Sequence, residues 1–368
     1  MPPKGSKKAA PKKAEAAAAA APAEADKPAA SPKAAKRTKA ESGADAKDTT
    51  KKADTPVRRQ STGGATVTEE MAYAGTTAFE RCTKDGDFDA KSMLRIVSWN
   101  VAGLRGFLSR GGDLSKFCAT EKPDILCLQE TKLSDPADGP KIGAIDGYSH
   151  VDSISTAKKG YAGTRTYVRD GLVKVTPVHA FGFNLDKPDD HDDEGRVVTT
   201  ALPDLGDLTI VNTYVPNSGM TLERLDFREN DFDPMMRRFL KSIPWKDSVV
   251  WTGDLNVAER DYDRFWGGNF KQMQKCPGFT PEERASFRTT LKECNMVDAF
   301  RHKYPTAAKA GTYTFFSARF NQRAKGNGWR LDYFVVSAAL AARVVDCFPL
   351  TSYADSDHQP LVLWLKRK

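Results

Sequence analysis

The sequence predicts a four-layer α/β sandwich, in which two mixed β-sheets pack face to face and helices cover their outer sides. From about residue 92 onward, short apolar runs alternate with polar turns, and these strand-like runs outnumber the helical patterns. Some runs follow each other closely, as in hairpins, whereas others are separated by a helical pattern, so both sheets are expected to be mixed. Every Trp, Phe and Tyr lies beyond residue 60, in roughly 300 residues that are enough for a large core.

Eight strands are predicted from runs of β-branched and other apolar residues bounded by turn residues. In chain order they are Leu94–Trp99, Asp124–Leu128, Ala162–Val168, Val197–Leu202, Leu208–Val215, Ser248–Thr252, Leu331–Val336 and Pro360–Leu365. Three helices are predicted between them, at Leu104–Cys118, Met220–Lys241 and Pro281–Cys294. The third has the clearest start, because Thr280 can cap it and Glu283, three residues later, completes a capping box. No internal repeat is visible along the chain.

The surplus positive charge of the chain lies in its first 60 residues. The whole chain has a net charge of +8; residues 1–60 hold 15 basic and 7 acidic side chains, and residues 61–368 hold 41 of each. This distribution argues against a uniformly basic protein such as a histone. The first 60 residues contain no Phe, Trp, Tyr, Leu or Ile, so they cannot bury enough apolar surface to fold alone. We therefore expect a disordered basic extension with its junction at residues 1–90 and a folded domain at residues 91–368.

The basic arm, residues 1–60, carries a cluster at Pro32–Lys39 that suits a nuclear import receptor or phosphate backbones. A solubilising tail explains the arm equally well. A mitochondrial presequence is less favoured, because the arm is rich in Lys and Pro and contains acids. Six cysteines without a CxxC pair and the lack of an apolar leader favour a reduced intracellular protein, and no apolar stretch is long enough to span a membrane. We expect a nuclear location, with the mitochondrion as a second site.

Carboxylates, carboxamides, one Tyr and one His stand at or near the ends of the predicted strands. They are Asn100, Glu130, Tyr214, Asn217, Asp254, Asn256, Asp332, Asp357 and His358. Taken alone, each has a structural explanation: Asn100 suits a turn, and Glu130 suits a helix cap. Asp332 suits an ion pair with Arg330, and His358 suits a solvated surface. Together they predict an oxygen-rich site without thiolates, which fits Mg²⁺ or Mn²⁺ better than structural zinc.

Ten short stretches, in a defined order from about Met93 to Leu365, carry a family resemblance. They are Ser98–Arg105, Leu128–Lys132, Gly160–Gly163, Glu194–Val197, Asn212–Asn217, Gly253–Ala258, Gly278–Arg284, Tyr313–Phe315, Trp329–Tyr333 and Ser356–His358. With them the sequence resembles the exonuclease-III-type apurinic/apyrimidinic (AP) endonucleases of the endonuclease–exonuclease–phosphatase superfamily, which have a DNase-I-like fold. Gly278–Arg284 and Trp329–Tyr333 favour AP endonucleases over the superfamily's inositol phosphatases and sphingomyelinases.

The resemblance implies Mg²⁺-dependent hydrolysis of the phosphodiester 5′ to an abasic site in double-stranded DNA, in base excision repair. The products would carry 3′-hydroxyl and 5′-deoxyribose phosphate ends, with 3′-phosphodiesterase and 3′→5′ exonuclease as side activities. The residues near the metal would be Asn100, Glu130, Asp254, Asn256, Asp357 and His358. Asp254, with Asn256 beside it, would activate water, and Asp332 would orient His358, which bonds a phosphate oxygen. Tyr214 and Asn217 would contact the scissile phosphate.

The resemblance also implies how DNA is held. The pocket for the abasic sugar would consist of Phe315, Phe316, Trp329 and Leu331. The contacts to DNA would come from Arg105, Lys132, Lys158, Lys159, Tyr161, Asn217, Met220, Asn269 and Arg319. Other base-excision-repair proteins are expected partners, and a monomer is expected.

Three positions depart from the family pattern. Ala102 stands where many relatives carry Asp or Asn near the metal, which predicts weaker metal binding. Met220 and Arg319 reverse the Arg and Met that vertebrate nuclear members insert into DNA. Val97 replaces a cysteine tied to redox regulation in vertebrate members, so that second function is not expected here.

Two other functions remain open from the sequence. One is a phosphodiesterase of the same superfamily that acts on phosphoinositides or lipid headgroups; Phe315 and the Trp329–Tyr333 stretch disfavour it. The other is a non-catalytic DNA- or chromatin-binding protein led by the basic arm. A pure binding protein has no physical need for Asp254 and His358 at one site, which disfavours this second alternative.

Overall fold

Two six-stranded β-sheets lie face to face, and helices cover the outer side of each, so the predicted four-layer sandwich is confirmed. The structure is a computed structural model that describes residues 67–183 and 192–368. The basic arm, with its predicted import cluster, lies outside the described residues.

The strands and helices are numbered in chain order. The strands are β1 Thr77–Ala78, β2 Met93–Asn100, β3 Ile125–Gln129, β4 Tyr148–Ser153, β5 Thr164–Arg169, β6 Val178–Phe181, β7 Val197–Leu202, β8 Leu208–Tyr214, β9 Val249–Asp254, β10 Met296–Asp298, β11 Ala307–Ala308, β12 Asp332–Ser337, β13 Val344–Pro349 and β14 Leu361–Lys366. The α-helices are α1 Glu69–Ala72, α2 Leu104–Ser109, α3 Leu114–Glu121, α4 Leu225–Phe227, α5 Asp233–Ser242, α6 Phe270–Met273, α7 Pro281–Glu293 and α8 Ala299–Lys303. A π-helical turn at Arg228–Phe232 joins α4 to α5.

The two large sheets share one pairing pattern. The first sheet has the order β13-β14-β2-β3-β5-β4, and the second has the order β10-β12-β9-β8-β7-β6. In each, the two central strands pair in parallel and the other neighbours pair antiparallel. Each parallel pair is joined by a helical crossover, as parallel pairing requires. This internal similarity of topology is not visible in the sequence.

Apolar side chains fill the three spaces between the four layers. Ile96 on β2 and Val250 on β9 are fully buried between the sheets. On the outer side of the second sheet, Phe239 on α5 and Phe287 on α7 are buried, and Phe117 on α3 is buried on the outer side of the first sheet. Strands packed on both faces are rigid, and rigid strand ends can position a functional site.

All eight predicted strands are confirmed, each within about two residues of its predicted bounds. The sequence missed β4, β6, β10 and β13, which are the four edge strands of the two large sheets. An edge strand has one neighbour and carries more polar residues, so its apolar pattern is weak. Most side chains of β6 are exposed, and β13 is interrupted by Asp346 and ends in Pro349.

The single helix predicted at Leu104–Cys118 is wrong, because the chain forms α2 and α3 there, separated by Gly111 and Gly112. A Cβ atom at Gly112 would lie 2.4 Å from the Phe107 ring, so the chain turns back over that ring where only glycine fits. The helix predicted at Met220–Lys241 starts later, at Leu225, and contains the π-helical turn. The third predicted helix is α7, and the capping box between Thr280 and Glu283 is present.

Residues 67–90, which the sequence groups with the arm as a junction, pack against the folded domain. β1 pairs in parallel with β11, and Ala72 on α1 is buried. The Phe79 ring lies 5.6 Å from the Phe300 ring and 4.9 Å from the Tyr304 ring. All described residues fall within one compact unit. Among them, no helix is long and apolar enough to cross a membrane.

Candidate active site

Five strands bring polar residues to one edge of the sandwich. Asn100 ends β2, Tyr214 ends β8, Asp254 ends β9, and Glu130 follows β3. Because β2 pairs in parallel with β3, and β8 with β9, the carboxyl ends of each pair lie side by side. β12 runs antiparallel to β9, so its first residue, Asp332, lies opposite Asp254. The topology therefore converts five separate strand ends into one cluster.

The Asn100 side chain joins the two sheets at this edge. Its Nδ2 donates to Glu130 Oε1 at 2.9 Å and to Asp254 Oδ2 at 3.0 Å. Its Oδ1 accepts a hydrogen bond from the backbone N–H of Ala102 at 2.9 Å. Since Asn100 is fully buried and bonded at both ends, it holds the two carboxylates at a set spacing.

His358 lies between two buried carboxylates. Its Nδ1 lies 2.8 Å from Asp332 Oδ2, and its Nε2 lies 3.7 Å from Asp254 Oδ2. Burial alone lowers the pKa of His358, but Asp332 and then Asp254 outweigh this effect and raise the pKa well above its ordinary value. The imidazole is therefore a cation near neutral pH, with one proton on the Nε2 that faces Asp254.

Asp254 is the carboxylate most suited to accept a proton. Burial, together with the neighbouring carboxylates of Asp332 and Glu130, raises the pKa of Asp254, against the opposing effect of the His358 cation. Its Oδ1 accepts a hydrogen bond from the backbone N–H of Asn256 at 3.0 Å. A carboxylate whose pKa is raised toward neutrality is a stronger base than an ordinary carboxylate.

Glu130 is held as an anion. Burial alone would raise the pKa of Glu130, but Lys132, whose Nζ lies 2.7 Å from Oε2, and Asn100 outweigh it and lower the pKa. The backbone of Glu130 has a left-handed φ of 53°, and Ala102 and Asn256 have φ values of 51° and 48°. Non-glycine residues rarely adopt this conformation, and it concentrates at functional sites.

Tyr214 and Asn217 lie beside this cluster. The Asn217 Nδ2 donates to Asn256 Oδ1 at 2.9 Å, and the Asn256 Nδ2 donates to the carbonyl oxygen of Val215 at 2.9 Å. Burial and then the Glu130 carboxylate raise the pKa of Tyr214 well above its ordinary value. The Tyr214 hydroxyl therefore keeps its proton and is a hydrogen-bond donor.

The sequence analysis did not identify the buried arginines that support this edge. Arg228 donates to the backbone carbonyls of Asn256 at 2.5 Å and Leu255 at 2.8 Å. Arg196 donates to the Tyr214 carbonyl at 3.0 Å, and its guanidinium lies 4.7 Å from the Tyr214 ring. Arginines are usually exposed, so the sequence has no local signal that marks a buried one. Of Arg196 and Arg228, Arg196 alone lies in a stretch that carries the family resemblance, Glu194–Val197.

An apolar cluster borders the His358 ring. The Phe315 ring centroid lies 4.8 Å from that of His358. Phe315, Trp329 and Leu331 pack in one cluster with buried Phe279, and we call this group the pocket cluster. The structure thus brings together three of the four residues predicted for the abasic pocket.

Phe316, the fourth predicted pocket residue, does not join the pocket cluster. It lines a separate groove of about 370 Å³ together with Ala102, Asp357, Arg110 and Arg323. The Arg323 guanidinium lies 4.8 Å from the Phe316 ring. Ala102 and Asp357, two of the positions discussed for metal binding, therefore face one groove.

Most of the predicted DNA-contacting residues are exposed to solvent. The exposed ones are Arg105, Lys158, Lys159, Asn217, Met220, Asn269 and Arg319. Lys132 is paired with Glu130, and the Tyr161 hydroxyl accepts a hydrogen bond from Arg196 at 2.9 Å. Phe320, which follows Arg319 and which the sequence analysis did not name, is also exposed, at 80%.

The polar cluster has the chemistry of a site for a hard cation. Asp254, Asp332 and His358 offer ligand atoms within 4.8 Å of one another. Because a protonated imidazole does not coordinate metals, the donors there are carboxylate oxygens, and no cysteine belongs to the group. Asp332 Oδ1 is buried and has no hydrogen-bond partner in the part of the chain that the structure describes.

Comparisons with known proteins identify the family of this chain. The model of the Endonuclease/Exonuclease/phosphatase family matches residues 97–358. A DNA-(apurinic or apyrimidinic site) endonuclease from Dictyostelium discoideum is 39% identical over 273 residues, covering 74% of this chain and 70% of that protein. The DNA repair nuclease APEX1 from Danio rerio is 39% identical over 284 residues, covering 77% of this chain and 84% of that protein. The crystal structure of the AP endonuclease LMAP from Leishmania major is similar with a TM-score of 0.78 and 46% identity, covering 83% of this chain and 97% of that one.

Proposed function

The chain belongs to the endonuclease/exonuclease/phosphatase family, and from this premise we infer that it is an AP endonuclease of DNA repair with exonuclease as a side activity. The reaction is hydrolysis of the phosphodiester 5′ to an abasic site in double-stranded DNA, which leaves 3′-hydroxyl and 5′-deoxyribose phosphate ends. The observation that carries this conclusion is the contact of His358 with Phe315 of the pocket cluster, at 4.8 Å between rings. A hydrolytic centre that adjoins a small apolar pocket suits a deoxyribose that has lost its base.

Asp254 and His358 divide the chemistry between them. Asp254, with its raised pKa, accepts the proton of the attacking water. At 3.7 Å from Asp254 Oδ2, the protonated Nε2 of His358 is beyond hydrogen-bond distance, so this proton is free to bond a phosphate oxygen. There it stabilises the charge that develops in the transition state. Asp332 holds the ring in place through Nδ1 at 2.8 Å.

Tyr214 and Asn217 position the scissile phosphate. The Tyr214 hydroxyl keeps its proton, and Asn217 is held by Asn256, which is itself bonded to Asp254. Displacement at phosphorus depends on alignment of the attacking and leaving oxygens, so donors attached to one rigid edge lower the barrier by positioning.

We propose Mg²⁺ as the metal, with Mn²⁺ as a substitute. Its ligands would come from Glu130, Asn100, Asp254, Asn256 and Asp357, with His358 beside it as a cation. When bound, the metal would neutralise phosphate charge and stabilise the leaving oxygen. The Glu130 and Asp254 carboxylates, which Asn100 holds close together, support this proposal, because Mg²⁺ prefers oxygen ligands.

The wider cellular assignment rests on the arm. We propose a nuclear protein of base excision repair, with the mitochondrion as a second location. The cluster at Pro32–Lys39 would bind an import receptor, and other base-excision-repair proteins are proposed partners. We propose a monomer as the active form.

A nicking assay tests the proposed function. The full chain is incubated with a duplex that contains one abasic site, with Mg²⁺ and with EDTA, and an intact duplex of the same sequence is the control. We expect Mg²⁺-dependent cleavage 5′ to the abasic site alone. Release of phosphate from inositol phosphates without nicking would instead identify a phosphoinositide phosphatase, and DNA binding without any hydrolysis would identify a non-catalytic binding protein.

A further inference from the structure

The N-terminal residues 67–78 lie behind the pocket cluster. Val67 packs against it. The Tyr73 hydroxyl donates to the backbone carbonyl of Arg264 at 2.8 Å and lies 3.2 Å from the Tyr313 hydroxyl. The Lys309 Nζ lies 4.4 Å from the Tyr73 ring, and β1 pairs with β11 just beyond. This segment therefore braces the wall of the pocket from outside the matched family region, residues 97–358.

Arg264 is a buried cation that pairs with aromatic rings. It is 4% exposed. The nearby Arg301 and Arg330 both pair with Asp263, whereas Arg264 forms no ion pair with a carboxylate in residues 67–183 or 192–368. Burial lowers the pKa of Arg264 from its ordinary value. Even so, the pKa of an arginine is so high that the guanidinium stays charged.

The guanidinium of Arg264 lies against the indole of Trp329. The distance to the Trp329 ring is 4.1 Å, and the distance to the Phe279 ring is 5.2 Å. Its Nη1 donates to the Met273 carbonyl over a long 3.4 Å, and its Nε has no partner in the described residues. Arg264 also interacts with the Cys276 side chain. Because it lacks a carboxylate, its stabilisation depends largely on the ring faces, so Arg264 opposes movement of the Trp329 ring.

The backbone of Arg264 is tied to the same tryptophan. Arg264 and Trp329 form an isolated antiparallel bridge, and the N–H of Phe265 donates to the carbonyl of Gly328 at 2.9 Å. Tyr73 thus fixes the backbone of Arg264, and Arg264 in turn holds Trp329. The order of contacts is Tyr73, Arg264, Trp329.

We propose that Tyr73 and Arg264 are positioning residues that set the Trp329 wall of the abasic pocket and thereby determine how strongly the protein prefers an abasic sugar to an intact nucleotide. The proposal rests on the proposed function, because it concerns the same pocket. A wall held in one orientation leaves room for a sugar alone, whereas a ring free to tilt also admits a nucleotide with its base.

The test compares binding of two duplexes in EDTA, one with a tetrahydrofuran residue as the abasic analogue and one intact. We expect Arg264→Met to lower the ratio of the two affinities roughly 2- to 30-fold, which is the range of a cation–π contact. Tyr73→Phe removes one oxygen and should lower the ratio roughly 2- to 10-fold, as loss of one hydrogen bond does. Arg264→Lys keeps the cation and should retain more of the preference than Arg264→Met. In nicking assays the same variants should raise KM for abasic DNA more than they lower kcat.

Two matched variants separate positioning from general loss of stability. Tyr148→Phe removes a 2.6 Å hydrogen bond to the Pro123 carbonyl on the first sheet, and Arg95→Met removes a guanidinium that lies 4.5 Å from the Phe88 ring. Both should leave the affinity ratio unchanged. The proposal is overturned if Tyr73→Phe and Arg264→Met keep the wild-type ratio, or if the two controls lower it equally.

The same experiments separate this proposal from the proposed function. A wild-type protein that nicks no abasic DNA contradicts the proposed function, while the affinity ratio still tests the role of Arg264. A wild-type protein that binds the two duplexes equally contradicts the pocket proposal itself. If Arg264→Met does not fold, Tyr73→Phe decides the outcome, because it removes a single atom from a half-buried side chain.

Discussion

At the scale of single residues, three positions of the candidate active site have strained backbone conformations. Ala102, Glu130 and Asn256 all have left-handed φ values, and each lies within two residues of a strand end. Such conformations cost on the order of 1–3 kcal/mol each, so neighbouring contacts must hold them. The Ala102 N–H bonds to Asn100 Oδ1, and the Asn256 N–H bonds to Asp254 Oδ1. The strained turns therefore depend on the polar side chains of the site, and the two features are maintained together.

Asp254→Asn and His358→Ala should each lower turnover on an abasic duplex by on the order of 10²–10³, while the fold and abasic-DNA binding are retained. The reason is that the first removes the base and the second removes the donor to phosphate. Single-turnover nicking measures the effect, and circular dichroism checks the fold. His179→Ala is the matched control, because His179 bonds Thr200 on the β6–β7 pair. A near wild-type rate in either variant would remove that residue from the catalytic set.

Ala102→Asp should lower the Mg²⁺ concentration needed for half-maximal activity, because it adds a carboxylate to the groove that Asp357 lines. The left-handed φ of 51° at this position favours the change, since Asp adopts that region more readily than Ala. A metal titration of nicking measures it, and Ala102→Asn is the uncharged control. An unchanged or higher requirement for Mg²⁺ would mean that residue 102 does not face the metal.

At the scale of secondary-structure elements, a buried ionic cluster joins the loop after β9 to β12 and α8. Asp263, in the turn Asp261–Asp263, bonds Arg330 Nε at 2.9 Å and also pairs with Arg301. Burial alone would raise the pKa of Asp263, but Arg330 and Arg301 hold it well below its ordinary value. Since Arg330 stands between Trp329 and Leu331, this cluster also fixes the segment just before β12 that carries these two pocket residues.

Asp263→Asn should lower the free energy of unfolding by about 3–5 kcal/mol at pH 7, because it leaves the buried Arg301 guanidinium without an anion and leaves Arg330 with Asp298 alone. The folded pKa of Asp263 lies below its unfolded value, so this stabilisation is present above the unfolded pKa, about 3.9, and is lost as pH falls below it toward the folded pKa. Urea unfolding at pH 7 and at lower pH should therefore show that the difference in the free energy of unfolding between wild type and variant becomes smaller as the pH falls. Asp226→Asn, at an exposed position on α4, is the control. A difference in the free energy of unfolding that does not change with pH would contradict this account.

At the scale of the whole molecule, charge is divided between the arm and the domain. Residues 1–60 carry a net +8, and residues 61–368 carry equal numbers of acids and bases. A neutral domain must segregate its charges to bind DNA, whereas a basic arm attracts any phosphate backbone. We therefore expect the domain to carry out the specific chemistry and the arm to contribute general attraction to DNA.

Deletion of residues 1–60 should leave nicking of a short abasic duplex nearly intact and weaken binding to long undamaged DNA, most strongly at low salt. Each Lys or Arg on the arm that contacts a phosphate displaces condensed counterions, so the salt dependence should become shallower on deletion. Fluorescence anisotropy over a range of salt concentrations measures the slope of DNA affinity against salt concentration. A full-length variant with Lys33, Lys36, Arg37 and Lys39 changed to Gln keeps the length of the arm and lowers its net charge from +8 to +4. An unchanged slope would assign the arm to import, which the location of the truncated protein in cells would then test.

The sequence alone predicted every interior strand of the two large sheets and placed the polar residues at their ends. Interior strands are buried on both faces, so their runs of apolar residues are distinct, and the polar residues that follow them are correspondingly conspicuous. The four edge strands and the break between α2 and α3 were not predicted. The edge strands depend on pairing with other strands of the sheets, and the break between the helices depends on how the Phe107 ring packs under Gly112.

Only the tertiary structure decided which of these polar residues act together. The sequence leaves open an ion pair between Asp332 and Arg330, two positions away, because residues i and i+2 of an extended segment point to the same side. Arg330 pairs with Asp263, and Asp332 turns to His358, 26 positions along the chain. Tertiary packing also raises the pKa values of Asp254 and His358. It likewise places Arg264 against Trp329. Each depends on burial and on distances between residues that the sequence does not place near one another, because electrostatic effects act through space and not along the chain.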